Sequence, residues 1–247
     1  MEDDADWDVM IRAQLTQFAY GARYIQQVAD ISALHSPYGD DWDFLPIGHC
    51  GARSRPEEDS RYWVAHNDPT VTPDSVSSHQ QNGRVPDRSA PELQGNFTRL
   101  IYELRDMRCT YSYAVSLRGA QRMLYWASIE PGASSSDRVL SGLCTFRRSG
   151  TRCIAPWPPI VDTYRPAGPD SKGSDRINFK GEARKHGETV NIVFPVKTGL
   201  KHHVESHRTY ASQWPKDSLR DAIDPNTDTL PLGKGYFLTK DKFTGYL

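Results

Sequence analysis

Apolar residues recur along the first part of the chain at Ile11, Leu15, Phe18, Ala22, Ile25 and Ala29, with Arg12, Gln17, Arg23 and Gln26 off that stripe. Spacings of three and four predict an amphipathic helix. Ser36-Pro37-Tyr38-Gly39 then supplies turn chemistry. The run from Asp41 to Cys50 is short and apolar enough for a strand, with Pro46 placing it at an edge or a bulge. Residues 51–96 turn polar, with Pro56, Pro69, Pro73, Pro86 and Pro91. They read as a long insertion whose strand-like stretch is 61–66, where Trp63 either packs or stacks on a sugar. β-Branched and aromatic residues predict strands over 98–104 and 110–115.

Ser116 is placed to cap a following helix with an apolar face of Leu117, Ala120, Leu124 and Ala127. Arg118 and Arg122 lie off that face, either to meet phosphate or an acidic acceptor or simply to keep the surface soluble. Asp137 opens another amphipathic segment carrying Val139, Leu140 and Leu143, and reads as an N-cap or first-turn acid. A short strand follows at 160–164. Beyond residue 177 the pattern fades into polar sequence with apolar islands at 190–194 and 236–238. The chain therefore divides into an α/β domain over 1–176 and a partly irregular extension over 177–247.

Composition narrows the classes. With 247 residues, 37% of them hydrophobic, there is material for one or two domains. Thirty basic side chains against 31 acidic ones give a net charge of −1, and no basic patch interleaves with aromatics, so no nucleic-acid partner is expected. No apolar run approaches the roughly 18 residues of a membrane span, and no secretory leader is visible. The cysteines Cys50, Cys109, Cys144 and Cys153 lack the CxxC spacing of zinc sites. Three disulfide pairings are open to them, with Cys144 to Cys153 closing the shortest loop. Four buried free thiols are the favoured reading. Asn96-Phe97-Thr98 is an N-glycosylation sequon, although six asparagines in a chain of this composition give about one such triplet by chance.

The candidate chemistry sits at the start. Glu2, Asp3, Asp4, Asp6 and Asp8 surround Trp7. On an extended segment, carboxylates two residues apart share a side, so Glu2 and Asp4, or Asp4 and Asp6, suit a hard cation such as Mg²⁺ or Mn²⁺. The same run also fits an acid-rich first turn of a helix. His203 and His207 are four apart in a lysine-rich stretch, and read as surface histidines in the absence of a companion carboxylate.

Four ordered blocks carry a resemblance. They are Glu2-Asp3-Asp4-Ala5-Asp6-Trp7-Asp8; Tyr38-Gly39-Asp40-Asp41-Trp42-Asp43 through Gly48-His49-Cys50-Gly51; Tyr113-Ala114-Val115-Ser116 with Arg118-Gly119-Ala120 and Leu124; and Arg165-Pro166-Ala167-Gly168-Pro169 with Lys172 and Ser174-Asp175. Together they resemble the fungal branch of glycosyltransferase family 25. The resemblance implies a GT-A-like mixed sheet with flanking helices, incomplete at the N-terminus, since in that family nucleotide-binding α/β units precede the acidic motif. It implies a nucleotide-sugar donor, usually a UDP-sugar, a glycan or protein hydroxyl as acceptor, and a compartment of the secretory pathway. Mn²⁺ or Mg²⁺ would then be held by Glu2, Asp4 and Asp6. Arg165 and Lys172 would approach the donor diphosphate, although Lys172 reads equally as a solvated surface lysine. Asp137 becomes the general base that an inverting transfer needs. Many relatives carry histidine near residue 163; this chain has Asp162-Thr163-Tyr164, leaving Asp162 as a candidate oxygen ligand. Two other readings stand beside this one: a non-catalytic, truncated glycosyltransferase-like binding protein, and a metal-dependent phosphate-ester hydrolase resting on the acid cluster alone.

Overall fold

Of the acidic N-terminus only Ala5–Trp7 is a strand. Asp3 and Asp4 form a turn before it, with the Ala5 N–H bonded to the Glu2 carbonyl, so the extended spacing expected to put Glu2 and Asp4 on one side is not present there. A helix begins only after the strand. In the computed structural model, which describes residues 1–28, 35–73, 84–129, 135–147, 150–169, 172 and 183–243, β1 (Ala5–Trp7) is followed by α1 (Ile11–Gln26). The predicted stripe faces the core in part: Ile11 and Leu15 are half-buried, and Gln17, expected off the stripe, is buried with its side chain bonded to Trp63 and Gly233. Phe18, Ala22 and Ile25 pack with Leu45, Ile101, Ile154, Ile160 and Val161. Burying side chains of this size contributes roughly 1.5–3 kcal/mol each. The approach is close, because a Cβ at Gly21 would stand 2.6 Å from Ile101 Cδ1. Gln27, in the left-handed region at φ 59°, ends the helix by returning its N–H to Arg23 and Tyr24 carbonyls. Ala29 lies outside the described residues.

The strands that follow are β2 (Phe44–Gly48), β3 (Gly51–Arg53), β4 (Ser60–Ala65), β5 (Arg99–Glu103), β6 (Asp106–Arg108) and β7 (Ser112–Val115). Two helices come next, α2 (Leu117–Ile129) and α3 (Ser136–Thr145), and then β8 (Ile154–Trp157), β9 (Val161–Arg165) and β10 (Glu188–Thr189). Short α4 (Leu200–Val204), β11 (Tyr210–Ala211), β12 (Ala222–Ile223) and β13 (Lys234–Leu238) complete the order. The class is mixed α/β, built of several small sheets with few helices. Strand orders are β13-β4-β5-β8, β1-β9-β10, β2-β7, β3-β6 and β11-β12, and the paired strands are antiparallel. Pro46 falls where the β2–β7 register shifts, the bulge its missing N–H predicts. No helix among the described residues is long and apolar enough to cross a membrane.

Three features differ from the sequence reading. First, described residues within the polar stretch 51–96 and beyond 177 contribute to the core. β4 joins β5 on one side and β13 on the other, and Leu238 and Phe243 pack with Tyr62, Val64, Leu100 and Tyr102. Val193 and Phe194 pack with Met10, Tyr210 and Ile223. The reason is pairing at long range, which a scarcity of apolar residues within one segment does not reveal.

Second, α2 turns its expected apolar face outward: Leu117 and Leu124 are 78% and 74% exposed. Its arginines reach a core carboxylate instead, Arg118 Nε to Asp43 at 2.8 Å and an Arg122 guanidinium nitrogen to the same carboxylate at 2.7 Å, although the Arg118 side chain remains partly exposed. Asp43 is fully buried. A buried carboxylate costs several kcal/mol unless paired, so it claims the arginines and sets the rotation of the helix. Gly119 allows this contact, since a Cβ there would lie 2.1 Å from the Asp43 carbonyl oxygen.

Third, the cysteines are paired and none is free: Cys50 with Cys109, and Cys144 with Cys153. The antiparallel β3–β6 pair, bringing Gly51 opposite Arg108, carries Cys50 to Cys109. The fold thereby replaces the expected thiols with two cross-links.

Candidate functional site

β1 lies antiparallel to β9, with Ala5 opposite Thr163, Asp6 opposite Asp162 and Trp7 opposite Val161. This register brings the two candidate acidic segments together across more than 150 residues of sequence. The four carboxylates then divide into two kinds. Asp6 and Asp162 are buried and enclosed by donors from the fold. The Asp6 carboxylate accepts the Thr189 hydroxyl at 2.6 Å and the backbone N–H groups of Lys197 and Trp7. Asp162 accepts the Asn191 amide at 2.9 Å and the Thr163 N–H at 2.7 Å.

Glu2 and Asp4 stand nearer to solvent. Glu2 is exposed; its N–H donates to the Tyr111 carbonyl at 2.8 Å and its Oε1 accepts the Thr110 hydroxyl at 3.0 Å. Asp4 is half-buried, accepts the Thr163 hydroxyl at 2.7 Å, and lies 3.7 Å from the Arg165 guanidinium. A carboxylate offers about four acceptor directions, so single hydrogen bonds leave both residues with coordinating capacity.

Asp137 arrives from α3 and meets the same stretch of chain. Its Oδ2 accepts the Cys109 N–H at 3.4 Å, while Ser135 donates to its Oδ1. Burial acts to raise its pKa. The hydrogen bonds from Ser135, Cys109 and Arg138, with the Arg108 charge, outweigh that and hold the carboxyl below its ordinary value. Asp137 therefore serves as a first-turn acid of α3 and is ionised at neutral pH.

Tyr111 is the residue that sequence reasoning missed. Burial raises its phenol well above the ordinary value, and the charges of Asp162, Glu2 and Asp4 act in the same direction against Arg165. The phenol thus sits in the field of four of the sequence candidates. Its only sequence signal was membership of an aromatic-rich strand. Lys197 was missed as well: its Nζ donates to the Asp3 carbonyl at 3.1 Å and lies 5.5 Å from the Tyr164 ring. Lys172, in contrast, is exposed on the turn after Pro169, with its aliphatic stem against Gly168. Ser174 and Asp175 lie outside the described residues.

Among the described residues no group of three or more His, Cys, Asp or Glu is arranged to hold a metal ion. His207 bonds Glu205 at 3.1 Å, and the His203 side chain lies outside the described residues. A shallow pocket of about 300 Å³ lies between α1 and the Pro37–Tyr38 turn, lined by Leu15, Ala19, Tyr20, Arg23 and Tyr38 among others, and none of the acidic candidates lines it. No family model, curated protein or solved structure matches the chain.

Proposed function

We propose that this chain is a metal-dependent glycosyltransferase of GT-A type, moving a sugar from a UDP-sugar donor to a glycan or protein hydroxyl, with inversion, as its resemblance to glycosyltransferase family 25 implies. The observation that carries the reading is convergence on one short segment. Residues 109–111 receive Asp137 at Cys109 and Glu2 at Thr110 and Tyr111, while Asp4 and Arg165, 3.7 Å apart, act on the Tyr111 phenol through their charges.

The donor set fits a hard cation in part. Glu2 and Asp4 retain coordinating capacity and would hold Mn²⁺ or Mg²⁺, which characteristically bind one or two carboxylates together with substrate phosphates. Asp6 and Asp162 are committed to the fold and do not fit as ligands. When bound, the ion supplies neutralisation of charge on the departing diphosphate. Arg165, and Lys197 in preference to Lys172, complement that negative charge. Asp137, kept ionised by its hydrogen bonds, is in the protonation state needed to take the acceptor hydroxyl proton.

A second reading, a non-catalytic binding protein, is favoured by the burial of Asp6 and Asp162 among hydrogen-bond donors. Calorimetric titration of UDP with and without Mn²⁺ separates the two. Metal-dependent binding that disappears in Asp4→Ala, with the melting temperature little changed, supports the transferase site. Metal and nucleotide affinities that do not change in that variant overturn the ligand assignment, and no binding by the parent chain overturns the donor site itself. If Asp137 is the base, Asp137→Asn lowers turnover of a UDP-sugar by roughly 10²–10⁴-fold while retaining UDP affinity and the melting temperature. Turnover near the parent rate would return Asp137 to a purely structural role.

A further inference from the structure

The sequon Asn96-Phe97-Thr98 has little weight as a triplet, but its place in the fold adds to it. Gln94, Gly95 and Asn96 are all exposed, in the turn between a short helical turn (Pro91–Leu93) and β5. The Asn96 side-chain oxygen accepts the Phe97 N–H at 3.2 Å, and Phe97 takes φ 54°, so the chain reverses sharply and holds Asn96 at the apex. Thr98 is buried where β5 begins, its hydroxyl bonded to His66 and to the Asn96 carbonyl. The acceptor amide and the hydroxyl that completes the recognition triplet therefore belong to one turn, with open solvent on the Asn96 side.

An independent observation supplies the compartment. All four cysteines are engaged in disulfides. Such bonds persist in oxidising compartments and are rare where glutathione keeps thiols reduced. The same luminal environment is where asparagine sequons are glycosylated, on surface loops.

We propose that Asn96 is an N-glycosylation site, modified by transfer of an oligosaccharide from a lipid-linked oligosaccharyl diphosphate. In that step the bond between the anomeric carbon and the diphosphate oxygen breaks as the anomeric carbon bonds to Asn96 Nδ2. The amide nitrogen gives up one proton to a base of the transferring enzyme, and the lipid diphosphate leaves. Transfer to the chain before β5 packs would find the Thr98 hydroxyl accessible, so its packing in the folded state is no obstacle. The exposed turn then carries the glycan outward from the β13-β4-β5-β8 sheet without displacing a core residue. This site is independent of the proposed transferase chemistry.

The test is to secrete the full chain from a eukaryotic host and compare it before and after peptide N-glycosidase by gel mobility and peptide mass spectrometry. The expected result is a single glycosidase-sensitive step, with the enzymatic deamidation mark at position 96 alone. Asn96→Gln should remove the step while preserving secretion and melting, since that side chain is exposed. Thr98→Ser, which keeps the hydroxyl, should retain it. Secreted, disulfide-bonded protein that is unmodified at Asn96 overturns the proposal. So does native protein whose four cysteines all react with a thiol alkylating agent, because the premise of an oxidising compartment then fails.

Discussion

Asp8 is completely enclosed where β1 passes into α1, and it accepts N–H groups from Met10 at 2.9 Å and Phe194 at 3.0 Å. Burial is the largest influence on it and raises its pKa from 3.8 to about 7, over the opposing effect of those two hydrogen bonds; Asp68 adds to the rise and Arg99 resists it. The folded chain thus retains a proton that the unfolded chain releases. The stability tied to this proton is fully present below pH 3.8, the unfolded value, and is lost as pH rises through about 7. Asp8→Asn removes the titration at the cost of one acceptor. The melting temperature of the parent minus that of the variant should therefore be largest at acid pH and shrink toward neutrality. A difference independent of pH between these limits would show that Asp8 does not titrate as the burial argument requires.

Among elements, α2 offers the sharpest contrast, because its small buried position and its large exposed ones reverse the usual roles. Gly119→Ala places a methyl group against the Asp43 backbone, which cannot rotate away, and Asp43 is also the anchor of Arg118 and Arg122. It should cost on the order of 1–3 kcal/mol in denaturant unfolding, whereas Leu124→Ser, at a site 74% exposed, should fall within about 0.5 kcal/mol. Equal effects would mean that Gly119 does not pack against the Asp43 backbone. The disulfides allow a second comparison at this scale. They span 59 and 9 residues, and loop-closure entropy assigns about 4 kcal/mol to Cys50–Cys109 and about 3 kcal/mol to Cys144–Cys153. Paired Cys→Ser substitutions followed by denaturant unfolding should keep that order; a reversal would mean that the shorter bridge holds structure in some way other than loop closure.

At the scale of the whole molecule, residues beyond 176 complete elements built by the first third of the chain. β13 covers the outer edge of β4, Lys197 and Thr189 bond Asp6, and Phe194 closes over Asp8. A chain cut after residue 176 loses all of these at once. It leaves the β4 edge unpaired, removes Leu238 and Phe243 from the cluster of Tyr62 and Val64, and removes Val193 and Phe194 from Met10. The expected outcome is a species without a cooperative thermal transition, prone to association in size-exclusion chromatography. A monomeric fragment with a sharp melt would restore 177–247 to the status of an appendage.

What the sequence determined by itself is the set of features governed by near neighbours along the chain. The three-and-four spacing of Phe18, Ala22 and Ile25 fixes a helix face because a helix repeats locally, and the missing N–H of Pro46 marks the bulge wherever β2 is paired. The strands at β4, β5 and β7 were legible for the same reason, through their side-chain types. Only the tertiary structure decided which groups share an environment. Asp4 and Asp6 read alike as acids, yet one reaches Arg165 at the edge of solvent and the other is sealed under Thr189 and Lys197. Arg118 and Arg122 looked like solvating charges until a buried Asp43 paired with them, and Tyr111 read only as a member of an aromatic-rich strand before the fold set it among Glu2, Asp4 and Asp162. In each case the deciding energy is desolvation of a charge or pairing with a distant strand, and neither is set until residues remote in sequence have come together.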